Sequence, residues 1–221
     1  MGSSGLARWA PVSGIVFVAL WLITFFAVVG DTAESGDSDA QILAYYADDG
    51  NRHKEIAAFF LVLAASLFFV WFVAVLRGRL AQAEGRAGGW TMAAFGAGLV
   101  AAALWIVADM FFFVTTLAVD DSSKFHLDAN TFRLISDAGY MVWFSATTIA
   151  ATTVGATALL SLKEQIVPKW IAWLSLVVAA TMLVAFFFIP FLIFLGWVLV
   201  VSIVLIWKGG EPQAAAAAAQ A

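Results

Sequence analysis

An all-α fold, a bundle of six transmembrane helices with short extracytoplasmic helices in its first two outer loops, is what this sequence predicts, on three observations. Of the 221 residues 63% are hydrophobic and 12% charged, against about 45–50% and 25% in an average soluble domain. The charges fall between long apolar runs. Those runs match the roughly 20 residues that a helix needs to cross a hydrocarbon core of about 30 Å.

Each span follows from its flanking charges. Arg8 and Asp31 enclose 22 uncharged residues, Glu55 and Arg77 enclose 21, and Asp137 and Lys163 enclose 25. Each of these runs is one crossing. Arg86 and Asp120 enclose 33 residues with Asp109 as the only charge, which fits one long or tilted helix. Lys169 and Lys208 enclose 38 uncharged residues, about 57 Å of helix and nearly twice the core. Pro190 sits just past the midpoint of that run. Proline lacks a backbone donor and biases its predecessor away from helix, so two short spans with a tight turn at Ile189-Pro190-Phe191 are expected. The predicted spans are 10–30, 56–76, 90–117, 139–161, 170–188 and 191–207, all within one transmembrane domain, 1–208. The first run has a single arginine before it and no convincing cleavage site, so it reads as a helix rather than a signal peptide. The tail 209–221, GGEPQAAAAAAQA, is low-complexity and is expected to be a disordered cytoplasmic segment.

Orientation follows from lysine and arginine. With a cytoplasmic N-terminus the inner segments carry seven (Arg8, Arg77, Arg79, Arg86, Lys163, Lys169, Lys208) and the outer ones four (Arg52, Lys54, Lys124, Arg133). That bias predicts both termini inside, in a plasma membrane. Trp9, Trp90, Trp170 and Trp207 fall at the inner ends, where indole rings prefer the interface. Eleven acids fall in the outer segments and three in the inner ones.

The first outer loop carries a capping box, Ser38-Asp39-Ala40-Gln41, that opens a short helix. Its apolar residues Ile42, Leu43, Tyr45 and Tyr46 suggest a helix lying on the membrane surface and ended by Gly50, with Asn51 capping the second span. In the second outer loop, Asp128-Ala129-Asn130-Thr131 reads as a capped helical segment feeding the fourth span. The inner linker 78–89 reads as a plain loop. Ala19-Leu20-Trp21 and Ala103-Leu104-Trp105 occupy comparable places on spans one and three, which suggests a repeated hairpin.

Asp109 is the residue to explain, because an ionised carboxylate near a bilayer centre costs roughly 3 kcal/mol on insertion scales. Ala94, Gly98, Ala102, Trp105 and Asp109 follow the four-and-three spacing of one helix face. Small residues on that face let another helix approach, so Asp109 is expected to point into the bundle. Counted inward from the outer ends, Ser66, Thr147 and Thr148 lie at its depth and are its expected hydrogen-bond partners. Span four also carries Ser145, Thr152, Thr153, Thr157 and Ser161. These hydroxyls fit either helix packing, with each bonded back to its own backbone, or a polar track in which Asp109 binds or exchanges a proton. The candidate binding residues are therefore Asp109, Trp105, Ser66, Ser145, Thr147 and Thr148.

Several function classes are set aside. No cysteine is present, and both histidines, His53 and His126, fall in outer loops, so no thiolate site and no haem held by two transmembrane histidines is expected. Those loops read as solvated polar segments rather than a metal site, and no cofactor is called for. There is no phosphate-binding glycine loop, nucleophile elbow or HExxH to indicate catalysis, and no basic cluster to indicate nucleic acid.

Arg8-Trp9-Ala10-Pro11-Val12-Ser13-Gly14, the phrase Leu43-Ala44-Tyr45-Tyr46-Ala47-Asp48, the basic inner loop and Pro168-Lys169-Trp170 resemble the uncharacterised small six-helix membrane proteins common in actinobacteria. The resemblance covers most of the chain in layout. It implies topology and plasma-membrane location and brings no catalytic residues. Two readings remain: a non-enzymatic membrane protein that binds or passes a small solute, lipid or proton, and an accessory or scaffold subunit in which a partner membrane protein docks and Asp109 only locks the bundle.

Overall fold

The computed structural model describes residues 9–29, 32–85, 88–121, 124–184 and 188–208. Arg8, Arg86, Asp31 and the tail 209–221, on which parts of the sequence reading rest, lie outside the described residues. In chain order the elements are α1 (Val12–Ile23) running into a π-helical segment (Thr24–Val29), α2 (Asp39–Ala47), α3 (Asp49–Ala83), α4 (Gly89–Asp121), α5 (Ala129–Glu164), α6 (Lys169–Met182) and α7 (Phe188–Lys208). The described residues contain no strand. Four of the helices, α3, α4, α5 and α7, are long and apolar enough to cross a membrane. The other two apolar helices, α1 and α6, have 12 and 14 residues.

Helices α1, α3, α4, α5, α6 and α7 form a closed ring in chain order, with α7 packing back against α1. Short connections make such neighbours antiparallel. The centre is filled by aromatic rings from four of the helices. Trp105 of α4, fully buried, lies with its ring 5.8 Å from Phe17, 5.1 Å from Phe69, and 5.7 and 5.8 Å from Phe191 and Phe194, centroid to centroid. Small residues bring the helices together around this centre. A Cβ on Gly14 would stand 2.1 Å from Ser202 Oγ and 2.7 Å from a Phe72 ring carbon, and one on Gly98 would stand 2.7 Å from a Val73 methyl. Between α4 and α5, Thr153 Oγ1 donates to Ala94 O at 2.8 Å.

The structure moves several expected boundaries. The break near Pro190 falls earlier: α6 ends at Met182, Leu183 and Val184 form a turn, and α7 has begun by Phe188. Pro190 is the third residue of α7, where its missing N–H is one of the four that no helix start can satisfy internally. The linker 78–89 is helical as far as Ala83, because buried Leu80 and its good helix-forming neighbours extend α3. Glu84 then caps α4, accepting from Thr91 N at 3.1 Å and Thr91 Oγ1 at 2.6 Å. Those bonds hold its carboxyl below the usual carboxylate range. Asp48, rather than Asn51, caps α3 by accepting from Asn51 N at 3.0 Å. Its extended backbone divides α2 from α3, and Gly50 lies inside α3.

The Ser38–Gln41 capping box forms as its spacing predicts. The apolar face of α2, however, turns onto the protein: Ile42 and Tyr46 are buried against Ala129 and Phe132 at the start of α5. Two arginines fasten this cap. Arg133 of α5 donates to Ser35 O at 3.1 Å, Asp37 O at 2.7 Å and Asp39 Oδ1 at 2.8 Å. Arg52 of α3 joins Tyr46 O, Asp49 and Asp120. Asp128 caps α5 through Thr131 N at 2.9 Å, and α5 continues unbroken to Glu164, so the second loop helix is the first part of α5.

The far end of α5 stops on a left-handed residue that is not glycine, Gln165 at φ 53°. A side chain in that region costs about 1 kcal/mol relative to glycine, so Gln165→Gly is expected to raise stability by about 1 kcal/mol. A thermal unfolding series in detergent checks this, and an unchanged or lowered midpoint would show that the turn is unstrained.

Candidate ligand cavity

At the capped end of the ring the helices part around a cavity of about 480 Å³. Its mouth is lined by Thr32–Ser35 with Tyr46, Phe132 and Ser136, and its inner end is closed by Trp21 and Trp105. The π-helical segment contributes Thr24 and Phe25 to the wall. A π-turn widens the helix by one residue per hydrogen bond and recurs at functional sites. Leu20 O, at this junction, accepts from Thr24 Oγ1 at 2.9 Å.

Four acids line the cavity: Glu34, Glu55, Asp109 and Asp137. Among the described residues no lysine, arginine or histidine lines it. Glu55 accepts from the Tyr45 hydroxyl at 2.9 Å, and Asp137 accepts from Ser35 Oγ at 2.7 Å. Burial and the neighbouring Glu55 push the Tyr45 phenol above its ordinary value, so it stays the donor. Asp109 differs from these two. Its Oδ2 is buried and has no hydrogen-bond partner, and the Trp21 indole nitrogen, on the same wall, is equally unpaired. A buried polar atom left without a partner costs on the order of 1–3 kcal/mol. Such atoms in a native fold call for an explanation.

The expected inward face of α4 is observed: Ala94, Gly98, Ala102 and Trp105 are buried, and Asp109 follows them into the cavity wall. None of the expected partners of Asp109 bonds to it. Thr147 Oγ1 donates to Trp143 O at 3.0 Å and accepts from Trp105 Nε1 at 3.4 Å, while Thr148 Oγ1 donates to Met182 O at 3.5 Å. Ser66 is fully buried and its Oγ has no partner. Ser145 is exposed and bonds back to Met141 O at 2.9 Å. Thr157 returns its hydroxyl to Thr153 O at 2.7 Å. Ser145, Thr147, Thr148, Thr153 and Thr157 of α5 thus donate to backbone carbonyls and none of them bonds to Asp109, while the buried Ser161 Oγ has no partner. Geometry explains the mismatch: depth counted from span ends ignores where around the ring each side chain points, and α5 directs Trp143 and Tyr140 at the cavity instead.

Glu55 is a cavity-lining acid that the sequence does not single out, because it reads as the charge that flanks span two. Its signal was present: Glu55, Ala58, Val62, Ser66 and Phe69 keep the same three-and-four spacing as the Asp109 face. The paired tryptophans of the suggested repeat do converge, with the Trp21 and Trp105 rings 6.4 Å apart. His53 and His126 join no metal-binding group among the described residues.

No protein family, curated protein or solved structure matches the chain. Its class rests on its own architecture: it is an α-helical membrane protein, a bundle with several helices able to cross a bilayer by length and apolar composition. At the capped end of the bundle it carries an acidic, aromatic cavity.

Proposed function

We propose that this chain is a six-span plasma-membrane protein with both termini in the cytoplasm, and that it receives a small ligand from the outer side in the cavity that ends at Asp109. The observation that carries the reading is the buried, unpartnered Asp109 Oδ2 in the wall of a cavity of about 480 Å³, within the range of about 300–1,000 Å³ usual for small-molecule pockets. An acid that only locked the helices together would be bonded to one of them. Below the cavity the aromatic centre around Trp105 is packed solid, which supports binding over open passage. The six crossings are supported by the ring of helices: α1 and its π segment together cover Val12–Val29, and α6 pairs with α7. Exposed Trp90, Trp170 and Trp207 lie at helix ends remote from the cap, as an inner interfacial belt would.

The chain has no cysteine, so single-cysteine variants report cleanly. Ser136→Cys and Asp109→Cys are expected to react with a membrane-impermeant thiol reagent added outside intact cells and to be protected from the inside. Leu67→Cys, on an exposed apolar face, should be silent from both. Reaction of Asp109→Cys only from the cytoplasmic side would reverse the orientation, and silence from both sides would remove the open cavity.

A further inference from the structure

We propose that the ligand of this cavity is a monovalent organic cation, an ammonium group on an apolar body that also carries a hydrogen-bond acceptor. The inference rests on the cavity reading above and names its chemistry. Three independent features of the wall converge on it.

The first is charge. Four carboxyl groups and, among the described residues, no basic side chain line the cavity. The two arginines nearest in the cap are each committed, Arg133 to Asp39 and the loop carbonyls, Arg52 to Asp49 and Asp120. An anion entering here would find carboxyl groups and no basic partner among the described residues, whereas a cation is drawn in by the acidic segments around the mouth. The second is surface. Trp21, Phe25, Trp105, Tyr140, Trp143 and Phe188 line the same space as Asp109. Aromatic faces attract a desolvated ammonium and accept its apolar body, the arrangement by which quaternary ammonium ligands are held. A metal ion would find no such benefit, and no group of metal-ligating side chains is present among the described residues. The third is the pair of unsatisfied atoms. Asp109 Oδ2 calls for a positive or donating partner, and the Trp21 indole N–H, in a side chain 4% exposed, calls for an acceptor. One molecule carrying an ammonium and an ether, hydroxyl or carbonyl oxygen satisfies both.

The same ammonium occurs on free amines and on phospholipid headgroups. In the headgroup it comes with a phosphate, which the four acids of the wall disfavour, so the free cation is the expected source.

The test uses the full chain in lipid nanodiscs and four probes: phenoxyethyl-trimethylammonium, its neutral isostere with a quaternary carbon in place of nitrogen, phenoxyacetate as the anion, and dihexanoyl phosphatidylcholine. Binding is read by tryptophan fluorescence and by isothermal calorimetry. The ammonium ether is expected to bind saturably, and the other three at least about tenfold more weakly, the scale of a desolvated cation contact. Asp109→Asn should lose about tenfold for the cation while leaving the weak affinity of the neutral isostere unchanged, and Trp21→Phe, which removes the donor to the ether oxygen, should weaken the ammonium ether, with thermal unfolding confirming that both variants fold. Equal binding of the neutral isostere would overturn the cation assignment and leave an apolar ligand cavity. Tighter phosphatidylcholine would move the source to lipid and overturn the free cation. No saturable binding of any probe, with Asp109→Cys still labelled from outside, would overturn the cation class while the open cavity stands. The same result with no labelling would remove both.

Discussion

Trp105→Ala is expected to destabilise the protein by about 3 kcal/mol, the lower end of the range for removing a buried tryptophan. The ring is fully buried and meets Phe17, Phe69, Phe191 and Phe194, so alanine leaves a void at the point where α1, α3, α4 and α7 converge. In a bilayer the transfer part of the usual penalty falls away, because lipid is as apolar as the core. What remains is the lost dispersion and the void itself. The variant also strips the Thr147 hydroxyl of its Trp105 donor and opens the floor of the cavity. Reversible unfolding in mixed micelles measures the loss. A change below about 1 kcal/mol would mean that the ring centre relaxes around the gap rather than holding it open.

Gly139→Val is expected to cost about 1–3 kcal/mol through overpacking and to distort the cavity wall. A Cβ at this position would stand 2.9 Å from Phe111 Cβ, 3.2 Å from Phe112 Cε1 and 3.3 Å from the Ala108 carbonyl oxygen. The first and last of these belong to atoms fixed by the α4 backbone, which cannot swing aside as a side-chain tip can. Helices α4 and α5 must therefore separate, carrying Phe111 and Phe112 of the wall with them. Unfolding measurements and thiol labelling of an Asp109→Cys, Gly139→Val double variant together check this: stability should fall and the labelling rate should change. Normal stability with an unaltered rate would show that α4 and α5 are not held at the spacing described.

The bundle was largely legible in the sequence because its signals are long. Apolar runs bounded by charges locate helices α3, α4, α5 and α7, and the four-and-three spacing of Ala94, Gly98, Ala102 and Trp105 gives the buried face of α4. The capping chemistry of Ser38 and Asp128 reads from a few residues, since each cap is a local hydrogen bond between neighbours. Pro190 misled for a physical reason. Proline breaks a helix interior and is welcome in a first turn, so its presence marks a boundary without saying on which side. The π-helical segment at Thr24–Val29 had no visible signal at all; TFFAVV is ordinary apolar sequence, and the extra residue per turn is set by packing.

The site was half legible. Asp109 stands out against WIVADMFFF, and Trp105 beside it follows by helix spacing. Its surroundings did not follow, because they are assembled across helices. Trp21 comes from α1, Glu55 from α3, Trp143 and Tyr140 from α5 and Phe188 from α7, and no spacing along one strand of sequence encodes which of them converge. The rich hydroxyl pattern of span four does not lead to the cavity, since Thr147, Thr153 and Thr157 donate to backbone carbonyls one turn away or across the α4–α5 contact.

On the reading we propose, Asp109 faces an open cavity and meets a guest there rather than a neighbouring helix. A high-resolution cryo-electron-microscopy map of the full chain in lipid nanodiscs, recorded with and without phenoxyethyl-trimethylammonium, tests it most directly. Solvent or ligand density is expected within about 3 Å of the Asp109 carboxylate, with the added cation replacing that density against Trp21 and Trp105. A map in which the cavity is closed and a side chain of α3 or α5 donates to both Asp109 oxygens would contradict it and leave the acid as a structural bond between helices.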